Sequence, residues 1–524
     1  MGTQAAEMGT TPPGTAEGKT LWEMLRRRTE LTPDRLMLAD EHDRRFTFGE
    51  VAAWSERVAA GLIEMGISDQ SVVSWQLPTR IETVVLSLAL ARIGAVQNPV
   101  IHLYREREVG SLLRTTNASW YMVPGVWNNF DYAAMGESMR SKVDSDRKPF
   151  EVYVVVGGLP EADPSGLAPI PTDGEAVKWL YSTSGTTSEP KAVRHSDGTL
   201  IAGGVGLSKR LQPAADDMGS IAFPYAHIGG PDYLVMMLHS GLPAVLVEAF
   251  APPLVFEIFR HHGVTITGGS TAHYLAFMAD QAKHPDEPTL PSLRYLSGGG
   301  APMPPEVYWR TRNQLDVQVR HGYGMTECPM ISNGGVGDDD EQLANTAGAP
   351  IEGCEVMVVD ADEQAVGADV DGDILVRGAM VAKGYLNPGA TQEAFRADGF
   401  FRTGDRGHLR ADNHLVLTGR SKELIIRKGE NISPTEIEDV LMTHPSIAAV
   451  AVIGLPDERS GERVCAVVET VAGHTPITFE EMAAHCRAAG LMIQKVPEQL
   501  ELMDALPRNP TMKILKRVLV EQLS

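Results

Sequence analysis

Cysteine is scarce in this chain: Cys328, Cys354, Cys465 and Cys486 are the only four in 524 residues. None stands in a Cys-x-x-Cys pair, so neither a zinc site nor a disulfide framework is indicated, and reduced, buried thiols are expected. Basic residues are also few, 46 Lys and Arg against 68 Asp and Glu. Nucleic-acid binders usually show a basic face, which argues against that class; the acidic excess reads as solubility. Long apolar runs are missing. Stretches such as 84–91 and 244–247 fall far short of the ~20 residues that cross a bilayer, so no integral membrane segment is expected. The N-terminus, MGTQAAEMGTTPPGTAEGKT, lacks the apolar stretch of a secretory signal. It reads as a flexible tail over residues 1–18, and the protein as cytoplasmic. No internal repeat is evident.

What is present is alternation. At 524 residues the chain is long enough for three or four folding units of ~150 residues. FTFGEVAAWSERVAAGLIEMG repeats apolar residues at helical spacing, with Thr47 as a cap and Gly66 as a stop. VVSWQL reads as a strand and IETVVLSLALARIGA as a helix; AVLVEAF, PPLVFEIFRHHG and VTITGG repeat the strand–helix–strand order. This predicts an α/β fold: a large N-terminal domain of parallel-rich sheets with helices, over 19–419. After about Pro350, CEVMVVD, GDILVRG and LVLTGR predict a small β-rich subdomain. Beyond a boundary at Arg420 to Lys422 follows a small α+β C-terminal domain, 420–524. His261 and His262 fall at the end of an amphipathic helix, where its C-terminus explains them without a metal.

One stretch, YSTSGTTSEPK at 181–191, fits neither a core strand nor a core helix. Hydroxyls, backbone N–H groups freed by glycine and a lysine suit a polyphosphate: small residues admit oxygen atoms, and the lysine adds a charge-assisted bond. It is not the standard P-loop, because Pro190 and Ala192 fall where that motif needs Gly and Ser or Thr. Further motifs follow. HGYGMTECP, 321–329, sets Tyr323 between Gly322 and Gly324, an aromatic face for a purine. It adds the Thr326 hydroxyl and the Glu327 carboxylate, an oxygen ligand suited to Mg²⁺. SGGGAP, 297–302, is a second glycine-dense turn. RTGD ends in Asp405, suited to a ribose diol. GRSKELIIRKGENISPTEIE opens with Arg420 and contains Lys428 and Gly429, and LPRNPTMK places Lys513 in a turn-rich loop.

These segments, in this order and spacing, resemble the adenylate-forming superfamily of acyl-CoA synthetases, luciferases and peptide-synthetase adenylation domains, over almost the whole chain from about Leu21. The resemblance implies that ATP, Mg²⁺ and coenzyme A are used, that the C-terminal domain is mobile, and that Lys422 is its hinge. It implies catalytic roles for Lys513, Glu327, Thr186 and Lys191, with Glu327 and Thr186 at the metal. Thr183, Ser184, Gly185 and Thr187 would hold phosphates. Gly300, Ala301, Pro302, Tyr323, Gly324 and Thr326 would hold the adenine end. Asp405 and Arg420 would hold the ribose, and Lys428 and Gly429 the pantetheine path. His227 and Gly299 would border the acid.

The chain departs from the family's pattern at Ser188, Ala192 and Met512, where glycine is usual. HIGGPDYLVMMLHSG and TGGSTAHYLAFM are rich in apolar side chains and offer no obvious second cation. A largely apolar acid is therefore expected, of fatty, alicyclic, aromatic or steroidal type, and a place in fatty-acid metabolism. The favoured reading is a free-standing acyl-CoA ligase. Delivery of the acyl group to a carrier protein is one alternative, and a nucleotide-binding homologue without turnover is another. A homodimer is left open.

Overall fold

The computed structural model describes residues 14–143, 150–183, 191–421, 423–427, 430–457, 459–509 and 512–524, with Thr183, Glu430 and Asn431 by their backbone alone. The first helix, Leu21–Leu31, starts where the Thr20 hydroxyl accepts from Glu23 N–H. The second, Phe48–Glu64, carries the predicted cap: Thr47 and Glu50 satisfy each other's backbone N–H groups, a device worth about 1 kcal/mol. Gly66, at φ +95°, ends the run. The expected tail is not loose at its inner end: Ala16 is buried, its N–H donates to His239 O at 3.0 Å, and Gly14 O receives Arg28 Nη2 at 2.7 Å.

Three sheets form the body of the large domain among the described residues. A six-stranded sheet runs Lys191–Ser196, Val177–Thr183, Val96–Pro99, Val72–Trp75, Trp120–Pro124, Glu151–Val155. All its pairings are parallel except the first. A four-stranded sheet joins Leu36–Asp40 to Ala244–Leu246 in parallel. A five-stranded sheet is parallel across Ile266–Thr267, Tyr295–Gly298 and Gln318–Met325, then antiparallel. Parallel strands are buried on both faces, and helix Ile81–Ile93 is correspondingly buried nearly all round. The principal core gathers Trp75, Trp179 and Tyr225 with this helix.

The expected β-rich unit is a four-stranded antiparallel sheet, Glu355–Val359, Gly372–Arg377, Phe401–Leu409, Leu415–Arg420. Beyond it, Ile447–Asp457 and Gly461–Thr470 form a long antiparallel pair with Gln499–Met503 in parallel alongside, accompanied by helices Pro434–Met442, Phe479–Ala488 and Lys516–Leu523. Apolar contact does not stop at the boundary: Ile425, Ile437 and Leu441 share one cluster with Leu296 and Val319 of the five-stranded sheet. Cys328, Cys465 and Cys486 are buried as expected, whereas Cys354 is half-exposed. His261 Nε2 lies 2.7 Å from Asp43 Oδ1 and His262 Nε2 3.1 Å from Asp40 O, so both rings are partnered at the helix end. No helix among the described residues is long and apolar enough to cross a membrane.

Candidate active site

The hydroxyl-rich stretch joins two neighbouring antiparallel strands, with Lys191 opposite Thr183. Ser184, Gly185, Thr186, Thr187 and Ser188 lie outside the described residues, as do Lys422, Lys428 and Gly429. Ala192, where the resemblance leads one to expect glycine, is a buried strand residue opposite Ser182. It stands outside the left-handed region, so a Cβ costs the backbone nothing there. Met512 is the opposite case. It sits at φ +65°, where a side chain costs roughly 1–2 kcal/mol.

Tyr323, Gly324, Thr326 and Glu327 lie on one hairpin. Strand Gln318–Met325 pairs with Cys328–Asn333, and Met325 faces Cys328, leaving Thr326 and Glu327 as the turn. Glycine at 324 is required by proximity, since a Cβ would lie 2.2 Å from Pro329 O. The Tyr323 hydroxyl donates to Asp405 Oδ2 at 2.6 Å, and Arg420 Nε sits 2.7 Å from Asp405 Oδ1. Asp405 and Arg420 face each other across adjacent strands, so register alone sets this pair. Burial and the Asp405 carboxylate push the Tyr323 phenol well up.

Lys513 comes to the same place from the far end of the chain. Its N–H donates to Asn509 Oδ1 at 2.8 Å, and Asn509 N–H donates back to Lys513 O at 2.8 Å, closing a tight loop. Burial and the nearby Arg420 guanidinium lower the Lys513 ammonium pKa, while Glu423 and Asp405 pull it up. Thus Tyr323, Asp405 and Arg420 form one polar group, and the Lys513 ammonium lies within the electrostatic influence of Arg420 and Asp405.

Glu327 belongs to a second group containing a residue that sequence reasoning missed. The Tyr385 hydroxyl donates to Glu327 Oε1 at 2.7 Å, and Lys191 Nζ lies 5.2 Å from the Tyr385 ring centroid, a cation–π distance. The segment holding Tyr385 lies along the lysine-bearing strand: Arg194 N–H donates to Gly384 O at 2.8 Å and Leu386 N–H to Ala192 O at 2.9 Å. The triplet Lys383-Gly384-Tyr385, an aromatic after a glycine, was the only signal of it. His195 was missed as well. Its Nε2 lies 2.7 Å from Thr326 O, and a carbonyl only accepts, so that nitrogen carries the proton. Burial pushes this imidazole down to about 4, leaving it a neutral strut under the turn.

The glycine-dense turn packs behind the hairpin. A Cβ on Gly299 would meet Gly322 O at 2.7 Å, whereas Gly300, at φ +79°, faces open space. The Ala301 carbonyl accepts from His321 Nε2 at 2.8 Å, while Tyr274 Oη lies 3.1 Å from His321 Nδ1. Thr271 Oγ1 holds the Pro302 carbonyl at 2.7 Å. His321 therefore fastens this turn.

His227 borders a cavity with Tyr104, Tyr181, Ser182, Ile228 and Thr326; its free volume is about 260 Å³ including the open mouth. Gly229 N–H donates to His227 Nδ1 at 3.3 Å, and burial pushes the ring down to about 4, so it is a neutral group with its proton on Nε2. Thr326 lies both in this wall and at the turn of the hairpin. The arrangement can bring a carboxylate in the cavity to a phosphate chain held near Lys191 and Glu327.

A family model described as AMP-binding enzyme matches residues 25–386, and one described as AMP-binding enzyme C-terminal domain matches 436–513. The chain is 32% identical to a salicyl-AMP ligase / salicyl-S-ArCP synthetase of Mycobacterium tuberculosis, over 97% of this chain and 91% of that one. It is 29% identical to the long-chain-fatty-acid–CoA ligase FadD13 of the same species, over 97% and 99%. Among solved structures, o-succinylbenzoate CoA synthetase from Bacillus subtilis, in complex with its acyl-adenylate intermediate, superposes with a TM-score of 0.81. It is 27% identical, covering 95% of this chain and 98% of that one.

Proposed function

Because the chain belongs to the AMP-binding enzyme family and is an adenylate-forming ligase, we propose that it activates a carboxylic acid of largely apolar body as acyl-AMP and transfers the acyl group to coenzyme A. One observation carries the reading: Lys513, from the last segment of the chain, stands within electrostatic reach of Asp405 and Arg420. A cation that must be brought from so far along the chain, and against burial, needs a purpose, and the charge of an attacking carboxylate and a strained α-phosphate supplies one.

In the first step a carboxylate oxygen forms a bond to the α-phosphorus, the bond from that phosphorus to the bridging oxygen breaks, and pyrophosphate leaves with the electron pair. Lys191 and the hydroxyls of 183–187 hold the phosphates. Tyr323 offers its ring to adenine against the Gly300–Ala301–Pro302 turn, and Asp405 with Arg420 takes the ribose. Lys513 neutralises charge between ribose and acid, which counts most in the transition state. Glu327 suits Mg²⁺, a hard cation that prefers oxygen: it is half-buried, and the Tyr385 hydroxyl fixes Oε1. Glu327 and Thr186 would hold the ion, which when bound neutralises phosphate charge.

In the second step the thiol sulfur bonds to the acyl carbon, AMP leaves, and the thiol proton passes to solvent. The path for the pantetheine opens when the C-terminal domain turns about Lys422, withdrawing Lys513 and presenting Lys428 and Gly429. Four cavity walls, Pro99, Ile101, Ala226 and Ile228, are apolar, in keeping with an apolar acid body. A second acceptor, the phosphopantetheine of a carrier protein, is favoured by the salicyl-S-ArCP synthetase relative.

The test offers the protein ATP, Mg²⁺ and a panel of acids, reading pyrophosphate release, then adds CoA or a phosphopantetheinylated carrier and reads thioesters by mass spectrometry. Acid-dependent pyrophosphate release with an acyl-CoA product is expected. A thioester on the carrier alone moves the acceptor, and no pyrophosphate with any acid overturns the ligase reading.

A further inference from the structure

Away from the ligase site, two histidines and a carboxylate meet from elements that the sequence keeps far apart. His261 and His262 close helix Leu254–His262. Asp43 stands in the turn between strands Leu36–Asp40 and Arg45–Thr47. One of its oxygens meets both rings: Oδ1 is 2.7 Å from His261 Nε2 and 3.7 Å from His262 Nε2. A ligand atom from each of the three residues lies within 4.8 Å of the other two, and Asp40 O is 3.1 Å from His262 Nε2. The C-terminus of a helix accounts for two adjacent histidines, but not for a carboxylate held against both of them.

The geometry suits a small cation. Donor atoms around a tetrahedral Zn²⁺ stand roughly 3.3 Å apart, and the spacings of 2.7, 3.1 and 3.7 Å straddle that value. The turn that carries Asp43 is tied down. Asp40 Oδ1 accepts from the N–H groups of His42 and Arg44, each at 3.0 Å, and Asp43 N–H donates to Asp40 O at 3.1 Å. His262 is buried, which fixes its ring, while His261 and Asp43 are exposed and leave an open side for an ion and its water. The negative end of the helix favours a cation; Arg45, exposed close by, opposes it. The neighbouring group of Glu41, His42 and Glu248 is not equivalent, because Glu248 already holds Arg80 and Trp127.

We propose that Asp43, His261 and His262 form a binding site for a divalent transition ion of the Zn²⁺ type, which clips the turn at 40–45 to the end of helix Leu254–His262. Two imidazole nitrogens and one carboxylate oxygen select such an ion over Mg²⁺ and Ca²⁺, which prefer oxygen alone. The ion takes the place of the Nε2 protons that now point at Asp43 Oδ1 and Asp40 O, and each ring then carries its proton on Nδ1. His262 Nδ1 is buried with no partner among the described residues. No acceptor is therefore there to make that ring a stronger donor, and the affinity expected is micromolar, weaker than that of a closed structural zinc site. None of these residues takes part in the ligase chemistry proposed above, so failure of that reading leaves the site standing.

The experiment uses the full chain, stripped of metal with a chelator and free of ATP. Zn²⁺ and Mg²⁺ are titrated by calorimetry, and the melting temperature is followed against Zn²⁺. Zn²⁺ should bind, Mg²⁺ at equal concentration should not displace it, and the melting temperature should rise with Zn²⁺ because the ion holds the folded chain. His261→Ala and Asp43→Asn change exposed side chains, and asparagine tolerates the left-handed backbone at 43, φ +61°, so both variants keep the fold. Losing a ligand costs no less than losing an outer partner, so each should weaken Zn²⁺ by about 10-fold or more and remove most of the melting shift. His42→Ala, in the same turn, should change neither. Zn²⁺ affinity unchanged in both ligand variants, or weakened as much by His42→Ala, overturns the site. So does a wild-type chain that binds no Zn²⁺, or gives it up to equimolar Mg²⁺.

Discussion

The direction of the Glu327 carboxylate is decided by one hydroxyl on a remote segment. Tyr385→Phe keeps the ring beneath Lys191 and removes only the 2.7 Å bond to Oε1. Loss of one such charge-assisted bond is worth roughly 1.5–3 kcal/mol. We expect turnover to fall about 10-fold with a raised Mg²⁺ requirement, read by titrating Mg²⁺ in the pyrophosphate assay. An unchanged Mg²⁺ curve would leave Tyr385 a packing residue. Titration of buried groups gives a second test. Burial holds the imidazoles of His195, His227, His273 and His321 near 4, against an ordinary value of 6.5. Between those values the unfolded chain takes up protons that the folded one refuses, so stability is complete above about pH 6.5 and is lost as pH falls toward 4. Asp232 has the opposite sign. Its pKa rises from 3.8 to about 8 on folding, so its contribution is intact below about pH 4 and is lost as pH rises through about 8. Asp232→Asn should therefore raise the melting temperature at pH 8 and scarcely change it at pH 4. Equal shifts at both would show that the Asp232 carboxyl, buried in helix Gly229–Ser240, is not protonated by its burial.

The hairpin of Gln318–Met325 and Cys328–Asn333 acts as a unit, because Tyr323, Thr326 and Glu327 share its backbone. Gly324→Ala would force a Cβ against Pro329 O at 2.2 Å and spread the strands, a strain of about 1–3 kcal/mol. We expect a lower melting temperature together with a raised KM for ATP. Ala192→Gly is the contrasting change. It restores the residue usual in the family, yet on a buried strand it should only loosen the backbone, by about 0.5–1 kcal/mol, with no gain in turnover. If Ala192→Gly accelerates adenylation, the strand conformation at 192 is not the working one. These motifs were legible as sequence because each packs its glycines and its chemistry into one short turn. Their neighbours were not: His195, on strand Lys191–Ser196, and Tyr385, on the segment 383–386, touch the hairpin from places far off along the chain, and no local spacing marks them.

For the molecule as a whole the prediction is that the two chemical steps can be separated. Lys513 lies within the electrostatic influence of Asp405 and Arg420 in this arrangement, and if the C-terminal domain turns about Lys422 it serves the first step alone. Lys513→Ala should lower adenylate formation by about 100-fold or more and spare thioester formation from a supplied acyl adenylate. Gly429→Leu should do the reverse. Equal failure of both variants in both assays would count against domain alternation. The positive φ of Met512 places a strained residue beside this lysine, at a position where the family usually has glycine.

Read as a chain alone, the protein already declared its α/β class, its helix caps, the change of texture after Pro350 and the glycine-rich motifs that carry the family resemblance, because caps, periodicity and turn glycines act over a few residues. The tertiary structure decided what those motifs touch. Strand register put Arg420 against Asp405, packing of 383–386 on the lysine strand put Tyr385 against Glu327, and helix Gly229–Ser240 buried the Asp232 carboxyl. Such contacts join residues tens to hundreds of positions apart. Their energy comes from burial and from pairing across sheets, and both exist only once the layers have closed.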